Sequence, residues 1–301
     1  MPDFKLPERT ILLDGGMGRE LRFRGIDVMT PIWSAKALIE APQAVRQIHS
    51  DYIAAGADII TTNTYGIIRS NLAKEGLEDR FKELNLLACQ IAEEAREASG
   101  RSVLIAGSLP PLAGSYRPDL VGNIEDIQPL YLEQAELLAP YVDLILCETM
   151  SSAAEGRAAA TAACQTGMPV WVSWTLHDDG SGKLRSGETI SEAVEMLSDL
   201  AVFGFLANCC RPESITKAMP LLAEAGATYF GGYANTFLLI PEDWELDGLK
   251  ETDGSLDLRT DLDPESYARH VVQWLQDGAT VVGGCCGTRP AHIAKLRELI
   301  L

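Results

Sequence analysis

The chain lacks any apolar run long enough to cross a bilayer, is short of basic residues, and carries only 4 histidines in 301 residues. Its longest apolar runs are strand-sized, which excludes a membrane span, and no basic-then-apolar leader opens it, so a cytoplasmic protein is expected. Lysine and arginine total 25 against 43 acidic residues, a formal charge of −18. That balance repels phosphate backbones and anionic surfaces, so neither nucleic acid nor a membrane is expected as a partner. His49, His270 and His292 fall on expected helices and His177 opens a polar loop. None has a neighbour at metal spacing, which points to surface or core roles. The dinucleotide fingerprint and the phosphate loop are also missing, because Asp14-Gly15-Gly16-Met17-Gly18 does not follow the glycine spacing either requires. No internal repeat or low-complexity linker divides the chain, so residues 1–301 are expected to form one domain.

What is present reads as a barrel. Apolar strand-like runs end at Asp14, Thr62-Asn63-Thr64, Gly107-Ser108, Cys147-Glu148-Thr149, Ser173-Trp174-Thr175, Asn208-Cys209, Gly232-Tyr233-Ala234-Asn235 and Gly284-Cys285. The first intervening helix is expected to open near Pro42, to bury Val45, Ile48, Tyr52 and Ile53, and to stop at Gly56. Further helical patterns cover roughly 69–98, 126–140, 151–166, 189–200, 212–225, 264–277 and 290–300. Strand alternating with helix eight times predicts an α/β fold, a single (β/α)8 TIM barrel. In that fold the carboxyl ends of all strands share one mouth, so Asp14, Asn63, Glu148, Cys209, Asn235, Cys285 and Cys286 are expected to converge. Residues 236–263, after the seventh strand, form an acidic insertion with Glu242, Asp243, Glu245, Asp247, Glu251, Asp253, Asp257, Asp261 and Asp263 against Lys250 and Arg259. It reads either as a solvated loop or as a lid over the mouth.

Seven cysteines is an odd number, two pairs are adjacent, and a chain of this size needs no stapling, so free thiols are expected. Gly283-Gly284-Cys285-Cys286-Gly287-Thr288 ends the last strand. Neighbouring side chains on a regular strand point to opposite faces, and the flanking glycines permit the bend that turns both sulfurs to one point. A metal ion is the natural common partner, and thiolates select zinc over magnesium or calcium. Cys209 is the candidate third ligand, leaving the fourth tetrahedral position open as in a reactive zinc site. Cys210 points the other way and is expected to pack, while Cys89, Cys147 and Cys164 read as core. Glu148 ends a buried run, where an unpaired carboxylate is costly, so it implies a cationic group nearby. With Asp14 and the backbone nest after Gly15 and Gly16, the mouth suits an amino acid.

These segments together resemble the homocysteine S-methyltransferase family. The resemblance covers nearly the whole chain. It rests on Leu13-Asp14-Gly15-Gly16-Met17-Gly18, on 56–66 (Gly56 through Asn63-Thr64-Tyr65-Gly66), on Glu148-Thr149, on Asn208-Cys209 and on 283–288. It implies a zinc ion (Zn2+) on Cys209, Cys285 and Cys286, with the sulfur of L-homocysteine as fourth ligand. It also implies that the substrate's amino group meets Asp14 and Glu148 and its carboxylate the amides of Met17 and Gly18, with Asn235 near the metal. The chain departs from the family's Tyr-Pro-Asn by reading Tyr233-Ala234-Asn235. Trp33-Ser34-Ala35-Lys36 resembles the branch that uses S-methylmethionine, so that sulfonium or S-adenosylmethionine is the favoured small methyl donor and methionine the product. Betaine, a corrinoid protein acting in trans, and a homocysteine- or zinc-sensing module without turnover are the alternatives. Betaine is disfavoured because Thr149 and Gly66 stand where that branch carries aromatics.

Overall fold

In the computed structural model, residues 6, 9–240, 244 and 257–300 are described. Eight short, almost wholly buried strands form one parallel sheet: β1 Ile11–Leu12, β2 Ile59–Thr61, β3 Leu104–Leu109, β4 Leu144–Met150, β5 Val170–Trp174, β6 Val202–Asn208, β7 Tyr229–Ala234 and β8 Val281–Gly284. Their order, β1-β8-β7-β6-β5-β4-β3-β2, follows the chain around a ring. A parallel bridge between Leu13 and Ile59 closes the ring, backed by the Asp58 amide donating to the Leu12 carbonyl at 2.7 Å. The fold is the expected (β/α)8 barrel.

Alternation along each strand divides the core in two. Ile11, Leu13, Ile59, Leu144, Leu146, Trp171, Leu206 and Val281 fill the barrel interior. Their sequence neighbours, such as Leu12, Ile60, Ile145, Val172 and Val282, face the helical shell. At the amino end of the barrel, Asp58 is gripped by Arg9 at 2.7 Å and Arg297 at 2.7 Å and accepts from the Leu12 amide at 3.0 Å.

Helices occupy Pro42–Ala55, Ile124–Leu138, Ala153–Gln165, Pro212–Glu224, Pro264–Gln276 and Pro290–Leu299, close to their expected spans. The first ends at Gly56 in the left-handed conformation at φ 109°, the usual helix stop. The pattern over 69–98 is two helices, Arg69–Lys74 and Phe81–Ser99, because the chain turns at left-handed Gly76. The pattern over 189–200 is helical only over Ile190–Glu195, started by a reciprocal pair in which Thr189 and Glu192 each accept the other's amide. Two short helices, Met17–Phe23 and Lys36–Glu40, escape the sequence pattern. Among the described residues no helix is long and apolar enough to cross a membrane. Most of the acidic stretch expected as an insertion or lid, including Glu242, Asp243, Glu245, Asp247, Lys250, Glu251 and Asp253, lies outside the described residues. At its described end, Arg259 pairs with Glu213 at 2.7 Å and Asp261 at 2.8 Å.

Candidate active site

At the carboxyl rim the strand ends enclose a cavity lined by Asp14 to Gly18, Trp33, Thr61 to Asn63, Tyr65, Tyr116, Glu148, Thr149, Tyr233, Phe237, Trp244 and the three candidate cysteines. The sulfurs of Cys209, Cys285 and Cys286 all lie within 4.8 Å of one another, with Cys209 and Cys286 3.7 Å apart. All three are free thiols. Three convergent thiols with one open side fit a soft divalent metal rather than a hard one.

Backbone conformation brings the sulfurs together. Cys209 follows the last residue of β6 and adopts a left-handed conformation, φ 50°, which a non-glycine residue holds only when its surroundings impose it. Cys210 then joins the hydrophobic core between sheet and helices and does not line the cavity. The Gly283–Gly287 glycines act differently from the sequence expectation. Only Gly287 has positive φ, 84°. Gly284 is required for approach, since a β-carbon there would strike the Thr288 side chain. Thr288 in turn closes the cysteine turn, its hydroxyl donating to the Cys285 carbonyl at 2.7 Å. Among the thiols, Cys286 ionises most readily: hydrogen bonds from Cys209 and then Cys285 hold it well below the ordinary thiol range, with the Arg19 charge adding to them.

Two carboxyls face the thiols. Asp14, directly after the β1 run, accepts from the Thr61 amide at 2.8 Å and hydroxyl at 3.1 Å. Glu148 accepts from the Ser108 hydroxyl at 2.5 Å and from Tyr233 at 3.2 Å. Burial is the main cause that raises both to about 7, and Glu148's charge raises Asp14 further. For two acids raised in this way, a nearby cation would make ionisation more favourable. Next to Glu148, Thr149 is also left-handed, φ 62°, and is locked by Asn208. The Asn208 side-chain oxygen accepts from the Thr149 amide at 2.9 Å and the Ser173 hydroxyl at 2.7 Å, and its amide donates to the Thr149 hydroxyl at 2.9 Å.

Met17 and Gly18 open the helix Met17–Phe23 at the cavity wall, with no side chain capping their amides. Asn235 is placed differently: it is fully buried, outside the cavity lining, its oxygen accepting from the Phe237 amide at 3.2 Å and its amide nitrogen unpartnered. Cys89 and Cys147 are buried as expected, whereas Cys164 is half-buried at the end of its helix. No histidine lines the cavity. Ser108, Thr61 and Asn208 sit at strand ends and could have been drawn from the barrel's geography. Tyr116, whose hydroxyl lies 2.9 Å from the Cys209 sulfur, sits in a loop without any pattern to mark it.

Fold and site therefore define a (β/α)8 barrel with an open three-thiol cluster beside two buried carboxyls at its carboxyl rim. The sequence profile of the homocysteine S-methyltransferase family matches residues 11–300. Similarity extends to the Homocysteine S-methyltransferase of Escherichia coli strain K12, 31% identical over 95% of this chain and 94% of that protein. The Selenocysteine methyltransferase of Astragalus bisulcatus is 29% identical over 97% and 93%. Among solved structures, the metallated form of the homocysteine methyltransferase MmuM from Escherichia coli superposes with a TM-score of 0.81 at 30% identity, covering 97% of both chains. The chain belongs to the homocysteine S-methyltransferase family, and its activity is methyl transfer to homocysteine.

Proposed function

We propose that the protein moves a methyl group from a sulfonium donor, S-methylmethionine or S-adenosylmethionine, to the thiolate of L-homocysteine, giving L-methionine, with zinc on Cys209, Cys285 and Cys286. The observation that carries this reading is the convergence of three free thiols, sulfurs within 4.8 Å, beside two buried carboxyls of raised pKa. A free thiol is mostly protonated at neutral pH, and zinc at this all-thiol site supplies the deprotonation that makes a thiol nucleophilic.

The chain's own residues do the rest. Asp14 and Glu148 take the substrate's ammonium group, and its arrival ionises both. The amides of Met17 and Gly18 take the carboxylate, at the positive end of their helix. Thr61 holds Asp14, Ser108 and Tyr233 hold Glu148, and Asn208 locks the neighbouring Thr149, so the two acids are fixed relative to one another. Held at both ends, homocysteine extends its sulfur toward the cysteines, and alignment with the donor methyl supplies much of the rate as proximity. Trp33, Tyr65, Tyr116, Phe237 and Trp244 give the cavity an aromatic wall suited to a cationic, apolar-bodied donor. Phe237 and Trp244 come from the segment after β7, which supports a covering role for that segment. Asn235 orders Phe237 by accepting its amide.

The test is incubation of pure zinc-loaded protein with homocysteine and a panel of S-methylmethionine, S-adenosylmethionine, betaine and methylcobalamin. Methionine formed fastest with a sulfonium supports the reading. Methionine only from betaine or methylcobalamin reassigns the donor, and none from any donor leaves a sensing module.

A further inference from the structure

The loop after β3 carries a tyrosine whose hydroxyl the proposed reaction has not used. Tyr116 is buried, with its hydroxyl 2.9 Å from the Cys209 sulfur. If Cys209 is a thiolate, only the phenol can donate. Among the described residues, this is the one hydroxyl hydrogen-bonded to any of the three sulfurs.

The placement is built rather than incidental. Tyr116 is left-handed at φ 65°, a conformation that a non-glycine residue holds only under constraint. The constraint is visible on both sides of the ring. The Arg185 guanidinium lies 5.3 Å from the ring centroid, and Trp244 packs edge-on at 5.1 Å. Arg185 is held by Asp178 at 3.0 Å in a buried ion pair, and the other Asp178 oxygen accepts the Arg211 amide at 3.0 Å. Arg211 is two residues beyond Cys209, so one anchor fixes both the tyrosine's support and the segment carrying the sulfur. A cation over the ring also withdraws electron density from the phenol and makes its O–H a better donor.

Resting on the zinc reading above, we infer that Tyr116 is a positioning residue that acts through Cys209: its hydrogen bond withdraws electron density from that thiolate, holding it as a ligand and steering the methyl donor away from it. The donor meets enzyme thiolates as well as the substrate's. Attack by the Cys209 sulfur would form an S–CH3 bond to the protein, break the donor's bond to that methyl, release the demethylated donor and remove one ligand. Thiolate nucleophilicity falls as electron density is withdrawn, which disfavours that side reaction.

The experiment compares wild type with Tyr116→Phe, which keeps the ring between Arg185 and Trp244. The variant is expected to bind zinc about 10-fold or more weakly by chelator competition. Its cobalt-substituted form should show the thiolate-to-metal charge-transfer band at longer wavelength, and peptide mapping should show faster iodoacetamide alkylation at Cys209. Site-specific 3-fluorotyrosine at 116, a stronger donor of the same shape, should move the band to shorter wavelength, and serves if Tyr116→Phe does not fold. A band unmoved by 3-fluorotyrosine, or a folded Tyr116→Phe with unchanged zinc affinity and Cys209 reactivity, overturns this inference alone. Failure of the wild type to bind zinc through the three sulfurs overturns the functional reading beneath it.

Discussion

Glu148→Gln separates the two demands on the buried carboxyl. The amide keeps an oxygen for the Ser108 hydroxyl but removes the charge. In the folded, ligand-free protein the carboxyl titrates at about 7 instead of its ordinary 4.5, chiefly because burial disfavours the anion. Since the folded value lies above the unfolded one, the stabilisation belongs to the protonated form. It is fully present below pH 4.5 and is lost as pH rises through about 7. That displacement corresponds to about 3 kcal/mol. Glu148→Gln is therefore expected to exceed wild type by less than about 1 kcal/mol near pH 5 and by about 3 kcal/mol near pH 8. Urea unfolding of the reduced, metal-free proteins at both pH values measures this. Glu155, also raised to about 7 by burial, contributes equally to both proteins and cancels, whereas Asp14, raised chiefly by burial, loses only the smaller contribution of Glu148's charge in the variant. The gain in stability comes with lost recognition: L-methionine, which carries the same ammonium group, is expected to bind roughly 10- to 100-fold more weakly, the equivalent of one charge-assisted hydrogen bond. A stability difference that does not change between pH 5 and 8, or an unchanged methionine Kd, refutes the assignment of Glu148 as an ammonium partner held near neutrality.

Three further substitutions probe the frame around the site. Cys285→Ala is expected to reduce zinc from about one per chain to near none, while circular dichroism shows the barrel intact; full zinc content in elemental analysis tells against the three-sulfur site. Asn208→Ala leaves the Thr149 amide and Ser173 hydroxyl without their partner, costing about 1–3 kcal/mol in thermal or urea unfolding. It also frees Glu148 to shift, so the KM for homocysteine should rise; an unchanged KM would show that Asn208 does not position the acid. Gly287→Ala forces a side chain onto left-handed backbone and against Thr236, so it should destabilise the protein by more than about 1 kcal/mol and loosen metal binding in a chelator titration. Wild-type affinity in that variant means the cysteine turn tolerates rearrangement.

The barrel was legible because strands buried on both faces read as short continuous apolar runs, and eight of them recur between amphipathic helices. The three thiols and two acids were legible for a related reason: each directly follows such a run, and the barrel sends all those positions to one rim. Less could be read where the last backbone angles decide a side chain's direction. Cys209 and Thr149 are left-handed without being glycine, a choice imposed by tertiary contacts that leave no local signature. Asn235, one residue past β7, is fully buried and does not line the cavity, although the strand-end pattern places it with the others. Met17–Phe23 and Lys36–Glu40 are too short for a helical period to register. Tyr116 reaches the Cys209 sulfur through a loop conformation and an ion pair contributed from elsewhere in the chain, which no spacing encodes.

The most direct measurement of the central claim is zinc X-ray absorption spectroscopy on the loaded protein with and without homocysteine. The account predicts three sulfur neighbours at about 2.3 Å plus one lighter ligand, becoming four sulfurs when homocysteine is added. Fewer than three sulfurs in the free protein, or a sulfur count that homocysteine leaves unchanged, contradicts it.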